Sequence, residues 1–554
     1  MTENLDRRRP LARAAESLSL PPGFAGMSST ARLRAVLDLP DPGRALRQMR
    51  PDEFYLLLNG IGLDDSHDLL AYATPEQRRA VCDMDAWSGS RYVPARFDRL
   101  LGMAACVSLD LALSLLGEMD TEQLELHVAS SCVVGIAADD EPTSDWTFNT
   151  PDNVFVVSCE DEASVAPLRR FLDLLYAAGL QRAHLVLQGL RRDTPSSLEE
   201  MALKFRESRL ADLGFPPEEE RFALWEPFDV AAVRQRVEEA VPEPIEVPPA
   251  QALALALAGV REAPLFWRAV SAALPTVPAA TLLDRLVALV NKVMAARSAD
   301  LSDEGAWRDA ATDAVLTASI GIEELAGGDE GRAGAVLAVV WPVELYRVGV
   351  EAIRPVSLLA RRIVADIGGV ARLGLFDEET AETVRAGLAF PPELWAAIVE
   401  PGARTRRAFA TIAEARLARD RLKAALAVVR FARDSLGFDP AVPGGPGRAT
   451  FANVVATAWA RSVLGDAPLP KPLHSGEVGD LLVAAFTGGR IRPAVRERAV
   501  ALAGGARPDD RVAVASFVDR ALDAVEEAIG RLDPAAGVDP RFVGDALIFE
   551  SGLD

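Results

Sequence analysis

The sequence predicts a mainly α-helical protein: a superhelical array of helical repeats, a small β-hairpin insertion and a C-terminal all-helical domain. Three observations predict this fold class. Short apolar segments alternate with helix-start signals in residues 31–130, β-rich segments cluster around residue 150, and a 3.6-residue apolar period marks the C-terminal end. Since 554 residues are too many for one hydrophobic core, we expect two to four domains.

Composition indicates a globular protein, with 49% apolar and 25% charged residues. The formal net charge is −22, from 59 basic and 81 acidic residues. Residues 1–250 hold 42 acids and 25 bases, whereas residues 251–554 hold 39 and 34. Because phosphate backbones attract basic surfaces, this balance argues against nucleic acid as a partner.

Residues 1–30 are interpreted as an N-terminal arm. Its segment 11–20 is interrupted by Arg13 and Glu16, so it lacks the apolar stretch of a signal peptide. Segment 100–117 is interrupted by Asp110, which favours a buried helix over a membrane span. We therefore expect a cytoplasmic protein without a membrane span.

Residues 31–130 contain a recurring helix-start signal. Thr74 and Gln77 form a predicted capping box, with Pro75 at the first helical position, where its missing N–H costs nothing. The starts fall at Asp41-Pro42, Arg50-Pro51, Thr74-Pro75 and Asp120-Thr121. Since such short helices cannot bury their apolar faces singly, they should stack into a superhelix.

These segments and later ones resemble two known protein families. The units Leu46–Glu53, Leu70–Gln77 and Leu116–Gln123 resemble the cytoplasmic N-terminal helical domain of the MgtE magnesium transporter family. Segments 199–216, 321–328 and 343–349 resemble an uncharacterised bacterial family of unknown function. The second resemblance implies a shared fold but no activity.

Residues 131–240 are predicted to form a β-hairpin followed by helices. Segments 146–148 and 154–158 are β-rich and flank the turn signal Thr150-Pro-Asp-Asn153. Helices are predicted at 163–178, 181–190 and 197–213, although 183–190 also fits a strand.

The closely spaced prolines of residues 241–249 predict a semi-rigid linker and the main domain boundary, with separable units on either side. Residues 250–438 follow as a helical domain, in which 405–436 lacks Gly and Pro and predicts one long helix. A Gly/Pro loop at 439–450 precedes the C-terminal helices of residues 451–554, where apolar residues from Val514 to Leu532 keep a helical period.

The sequence contains only weak matches to motifs of known chemical function. Gly327-Gly-Asp-Glu330 spells the first four letters of the diguanylate cyclase signature, but its helical context favours a C-cap followed by an N-cap. Segment 444–450 resembles a phosphate loop but lacks the Gly-Lys-Ser/Thr ending. The four histidines lack metal spacing, and the four cysteines lack CxxC spacing, so buried, inert thiols in a reducing compartment are expected at Cys82, Cys106, Cys132 and Cys159.

The most unusual local feature is the run from Leu100 to Leu168, which contains thirteen acids and no Lys or Arg. One interpretation is a solvated face that aids solubility; the other is a surface for a basic protein partner or for Mg²⁺ or Ca²⁺. The spacing fails an EF-hand, because Ser144 occupies the position that needs Gly. The candidate residues are Asp139, Asp140, Glu141 and Asp145.

The leading functional hypothesis is a non-enzymatic protein-interaction or scaffold protein that uses helical-repeat surfaces. The base-free run and the MgtE-like units leave a second hypothesis open, a regulatory protein that responds to divalent cations. A third is an enzyme with an unfamiliar site. No cofactor is expected.

Overall fold

The computed structural model describes residues 27–192, 194–240, 263–442 and 449–534, with Phe24, Val260, Val543 and residues 546–549. Over these residues the protein is mainly helical and carries small antiparallel sheets, which confirms the predicted fold class. The chain divides into two compact units, unit 1 from Met1 to Arg347 and unit 2 from Val348 to Asp554.

Unit 1 begins with short helices that match the predicted series. The α-helices before the undescribed residues 241–259 are α1 (Ser29–Leu37), α2 (Pro42–Arg47), α3 (Pro51–Ile61), α4 (Pro75–Asp85), α5 (Pro94–Val107), α6 (Leu109–Glu118), α7 (Thr121–Ala129), α8 (Glu162–Ala178), α9 (Leu180–Gly189), α10 (Pro195–Asp212) and α11 (Val230–Glu239). Short 3-10 helices lie at Asp64–Tyr72, Glu218–Glu220 and Ala223–Trp225. Strands β1 (Trp87–Ser88) and β2 (Arg91–Tyr92) form a hairpin between α4 and α5.

The later part of unit 1 consists of α12 (Pro264–Ala273), α13 (Ala279–Ala296), α14 (Glu304–Ala326) and α15 (Glu330–Val339). Helix α16 (Pro342–Ile367) contains the boundary between the units. Gly327 ends α14 in the left-handed conformation, and Asp329 caps α15 by accepting from the Gly331 N–H at 2.8 Å. The Gly-Gly-Asp-Glu segment is therefore a pair of helix caps, as predicted.

The predicted capping box is present at the start of α4. Thr74 Oγ1 accepts from Gln77 N at 3.2 Å, and Gln77 Oε1 accepts from Thr74 N at 2.9 Å. The Gln77 amide also donates to the carbonyls of Leu46 and Met49, so the cap binds the C-terminal end of α2. Asp120 makes no such cap, because its carboxylate pairs with Arg209 of α10.

Segment 100–117 was expected to form one helix but contains a break. Ser108 is extended, with φ −166° and ψ 153°, and its Oγ accepts from Leu111 N at 3.1 Å. It therefore ends α5 and caps α6. Neighbouring helices pack in succession, α3 on α4 and α5 on α6, while α10 packs on both α4 and α7.

The predicted hairpin is confirmed as part of a larger sheet. Strands β4 (Thr147–Asn149) and β5 (Phe155–Cys159) are antiparallel, with Phe148 opposite Val157. A third strand that we did not predict, β3 (Cys132–Ile136), pairs with the other side of β5, which gives the order β3-β5-β4. The helices predicted to follow correspond to α8, α9 and α10, and residues 183–190 are helical except for the last.

The predicted linker at 241–249 lies outside the described residues, as does nearly all of the N-terminal arm. Residues on both sides of that segment belong to unit 1 and contact one another. Arg32 of α1 pairs with Glu304 at 3.1 Å, and Asn291 of α13 donates to Asp52 of α3 at 2.7 Å. The division between the two compact units falls at Arg347 and Val348. The predicted separability of residues 1–240 and 250–554 stays a prediction.

Unit 2 is helical with two short hairpins. Its further α-helices are α17 (Glu378–Leu388), α18 (Ile412–Asp434), α19 (Phe451–Val463), α20 (Ser475–Ala485), α21 (Pro493–Ala501) and α22 (Arg511–Ile529). Its strands are β6 (Leu394–Trp395), β7 (Arg406–Arg407), β8 (Phe486–Thr487) and β9 (Arg490–Ile491), and its 3-10 helices are Val370–Leu375, Ala396–Ile398, Leu502–Gly505 and Pro508–Asp510. Trp459 of α19 and Leu522 of α22 lie in its core.

The long helix predicted at 405–436 is shorter than expected. Residues 406–407 form β7, and α18 begins only after Thr411, whose Oγ1 accepts from Glu414 N at 3.2 Å. The absence of Gly and Pro predicted helical turns from residue 405 onward. In the structure, a strand pairing and an N-cap occupy that part of the chain instead. Of the Gly/Pro loop at 439–450, residues 443–448 lie outside the described residues.

None of the described helices has by itself the length and apolar character needed to cross a membrane. Only two consecutive segments, Gly331–Val339 and Pro342–Ile367, reach that character together, and they are bent by 119°.

Candidate functional site

The four predicted site residues lie in the segment between β3 and β4, and all four are exposed. Asp139, Glu141 and Asp145 have no side-chain partner among the described residues. Asp140 differs, because its Oδ2 accepts from Ile136 N at 2.6 Å and lies 3.4 Å from Arg191 Nη2. Asp140 therefore holds the segment against β3, and three of the four predicted carboxylates remain free.

Other acids of the base-free run have side-chain partners from elsewhere in the chain. Glu118 pairs with Arg78, Asp120 with Arg209, and Asp152 with His184. The negative surface is consequently smaller than the run of acids in the sequence suggests, because the partners of these three acids lie far from them in the sequence.

Asp152 is the most strongly hydrogen-bonded acid of the run. Burial alone would raise its pKa, but bonds from His184 (2.6 Å), Thr150, Val154 N and Tyr176 outweigh burial and lower the pKa to about 2. The carboxylate holds the turn before β5, because Thr150 and Val154 flank that turn.

We expect the Asp152 contribution to stability to be complete above about pH 4 and lost as pH falls toward about 2, because the folded pKa lies below the unfolded one. A carbon-detected NMR titration of the Asp152 carboxyl group measures this window. The Asp152→Asn variant should be less stable at neutral pH and lose less stability in that acidic window than the natural chain. If the stability of the variant falls with pH in the same way as that of the natural chain, this role of Asp152 is contradicted.

Large apolar side chains are exposed on and next to the strands that the segment with the free carboxylates connects. Val133 on β3 is 59% exposed, Trp146 is 41% exposed and Val154 is 39% exposed. Val133 and Val154 lie on one face of the sheet, since Ala137 is bonded to Val154 and residues 133 and 137 alternate to the same side. Trp146 directly precedes β4, its carbonyl accepts from Cys159 N, and the alternation along β4 puts it on the opposite face from Val133 and Val154. We define the acidic sheet surface as the exposed side chains of this sheet and of the segment between β3 and β4: Val133, Asp139, Glu141, Asp145, Trp146 and Val154.

Among the described residues, no three His, Cys, Asp or Glu side chains are placed so that they could hold a metal ion. Mg²⁺ and Ca²⁺ need about six or more oxygen ligands in close geometry, although water can supply several of them. The binding of a cation at Asp139, Asp140, Glu141 and Asp145 therefore stays a prediction, and the described residues offer no coordination geometry that supports it.

Cysteine chemistry is disfavoured at three of the four positions. Cys82, Cys132 and Cys159 are buried, and burial raises the pKa of each thiol, which disfavours the reactive thiolate. The expectation of four buried thiols is wrong for Cys106, which is exposed near the end of α5.

Sequence reasoning missed a cavity of about 220 Å³ in unit 1. It is lined by α10, the turn between β1 and β2, residues 215–221 and the end of α13 with residues 298–301. Arg206 of α10 is the buried cation in its wall, and its Cζ lies 5.2 Å from the centre of the Trp87 ring. The lining comes from four separate segments, so no local motif marks it.

The fold and these sites define a mainly helical protein with a small acidic sheet and without a recognised catalytic motif. The chain belongs to a family of unknown function, DUF6178, whose model matches residues 15–549. This confirms the resemblance to an uncharacterised family. No curated protein and no solved structure matches the chain, and the resemblance of residues 31–130 to the MgtE domain is not shown.

Proposed function

We propose that this chain is a non-catalytic protein-interaction protein and that the acidic sheet surface binds a basic partner segment with apolar side chains. The observation that carries the proposal is that Val133, Trp146 and Val154 are exposed on the same small sheet whose β3–β4 segment holds three carboxylates without a side-chain partner among the described residues. Exposed apolar side chains grouped on one surface are typical of interaction sites, and Trp is enriched at such sites.

The two kinds of side chain have separate roles in this proposal. Asp139, Glu141 and Asp145 attract a basic segment and orient it, because complementary charge raises the association rate and suppresses acidic partners. Val133 and Trp146 then lose water against apolar side chains of the partner, which slows dissociation. A scaffold role follows if the remaining helical surface binds a further chain. No described residue arrangement favours the cation-responsive or enzymatic alternatives.

The test uses a fluorescent peptide of alternating Lys and Leu, with a Lys/Ser peptide for comparison, and fluorescence anisotropy on the full chain. We expect the Lys/Leu peptide to bind more tightly, and its binding to weaken as NaCl rises from about 50 to about 300 mM, since exposed charges are screened. The triple variant Asp139→Asn, Glu141→Gln, Asp145→Asn should bind about tenfold more weakly and lose most of the salt dependence.

The matched control is the triple variant Glu378→Gln, Glu497→Gln, Glu527→Gln in unit 2. These three carboxylates are also exposed and lack side-chain partners among the described residues, so the control makes the same change in net charge. Equal weakening in both triple variants would mean that only overall charge matters, and the proposed surface would be rejected.

A further inference from the structure

Arg206 is a buried cation that makes no ion pair with any described residue, although the charges of Asp83 and Glu207 lie near enough to favour its charged form. It is 7% exposed; its Nε donates to the Asp83 carbonyl at 2.7 Å and its Nη1 donates to the Gly89 carbonyl at 3.1 Å. Among the described residues, no carboxylate lies within ion-pair distance of it, and its Nη2 group has no hydrogen-bond partner. The nearby Asp83 carboxylate is already bound at both oxygens by Arg209.

A buried charge that no counter-charge contacts is costly, so such groups in proteins are normally paired or bind a ligand. Burial lowers the pKa of Arg206 to about 10, which still leaves the guanidinium charged at neutral pH. The cation is fixed in place by two backbone carbonyls and the Trp87 ring, and the cavity lies against it. The arrangement is pre-formed for an anionic group.

The rest of the cavity wall combines free hydroxyls with apolar side chains. The side chains of Ser90 and Ser298 have no hydrogen-bond partner among the described residues. Leu203, Leu210 and Phe215 supply the apolar part. At about 220 Å³ the cavity is smaller than the sites of about 300–1,000 Å³ that hold drug-sized molecules, so it suits a small metabolite.

The charges around the cavity favour a monoanion over a dianion. Glu207 and Glu218 also line it, and Glu218 pairs with Arg221 at 3.2 Å, which leaves Arg206 as the cation free to bind. A phosphate dianion would bring its second charge close to Glu207, whereas one carboxylate is balanced by Arg206.

The geometry points to a binding site for a small organic monocarboxylate in this cavity, with Arg206 holding the carboxylate and Leu203, Leu210 and Phe215 contacting the apolar body. The site uses none of the residues of the acidic sheet surface and is independent of the proposed protein interaction.

The experiment is calorimetry on the full chain with three aromatic probes: benzoate, its neutral isostere benzamide, and the dianion phenyl phosphate. We expect saturable binding of benzoate, with benzamide at least about tenfold weaker because it lacks the charge that Arg206 requires. Phenyl phosphate should also bind more weakly than benzoate. The Arg206→Gln variant should lose the preference for benzoate over benzamide.

A second variant keeps the test valid if Arg206→Gln folds poorly. Leu203→Trp fills the cavity while keeping Arg206 in the chain, and it should abolish benzoate binding. Phe205→Trp is its matched control, because Phe205 lies on the same helix, is 47% exposed and does not line the cavity. The proposal is overturned if benzoate shows no saturable binding, if benzamide or phenyl phosphate binds as tightly, or if Leu203→Trp leaves benzoate binding unchanged.

Discussion

Replacing Arg209 by Ala should destabilise unit 1 by about 3–5 kcal/mol at neutral pH, because it leaves a buried carboxylate without its cation. Arg209 donates to both oxygens of Asp83, at 2.7 and 2.8 Å, and the Asp83 side chain is 2% exposed. Burial raises the pKa of Asp83 even with Arg209 beside it. Urea unfolding followed by tryptophan fluorescence measures the loss, since six of the eight tryptophans lie in unit 1.

The loss should depend on pH in a definite direction. Without Arg209, the folded pKa of Asp83 rises further above the unfolded value, so stability is lost as pH rises through that folded pKa. The deficit of the variant against the natural chain should therefore shrink as pH falls from about 7 toward about 4. Adding Asp83→Asn to the variant should recover part of the loss at pH 7. A deficit that is constant with pH and unaffected by Asp83→Asn would show that Arg209 acts only through packing.

Replacing Asp52 by Ala should cost a similar amount, about 3–5 kcal/mol, because several donors converge on this buried carboxylate. Arg50 donates to both of its oxygens at 3.1 Å, and Asn291 donates to Oδ2 at 2.7 Å. Asn291 is fully buried, so its amide would lose one of its two partners, the other being the Leu213 carbonyl. The network joins α3, the end of α10 and α13.

Asp284→Ala is the matched control for Asp52→Ala. Asp284 also accepts from Arg50, at 3.1 Å, but its side chain is 60% exposed, so its loss should cost no more than about 1 kcal/mol. Urea unfolding of both variants should separate them clearly. Similar losses in the two variants would mean that burial of Asp52 adds nothing to the strength of the network.

Local signals in the sequence predicted local structure well. The Thr74–Gln77 capping box, the caps at Gly327 and Asp329, and the strands around residues 150–153 all depend on neighbours within a few positions. β3 escaped prediction because a single apolar run after α7 fits a buried helix or a strand equally well. The break at Ser108 escaped because one small polar residue inside an apolar segment is a weak signal.

The candidate sites depend on long-range contacts and were correspondingly harder to predict. The exposure of Asp139, Glu141 and Asp145 fits the sequence pattern, but the capture of Asp140 by Ile136 N and Arg191 does not follow from it. The cavity brings Arg206 to Trp87 and to residues 298–301, which lie about ninety or more positions away in either direction. The sequence around Arg206 does not indicate that its side chain is buried, and its proposed binding role depends on that burial.

The central claim is that the acidic sheet surface binds a basic, apolar segment, and hydrogen exchange with mass spectrometry tests it most directly. The full chain is compared with and without the Lys/Leu peptide at low salt, and the protected amides are mapped along the sequence. The account predicts protection concentrated in residues 132–159 and lost in the Asp139→Asn, Glu141→Gln, Asp145→Asn variant. Protection located elsewhere, or unchanged in that variant, would contradict it.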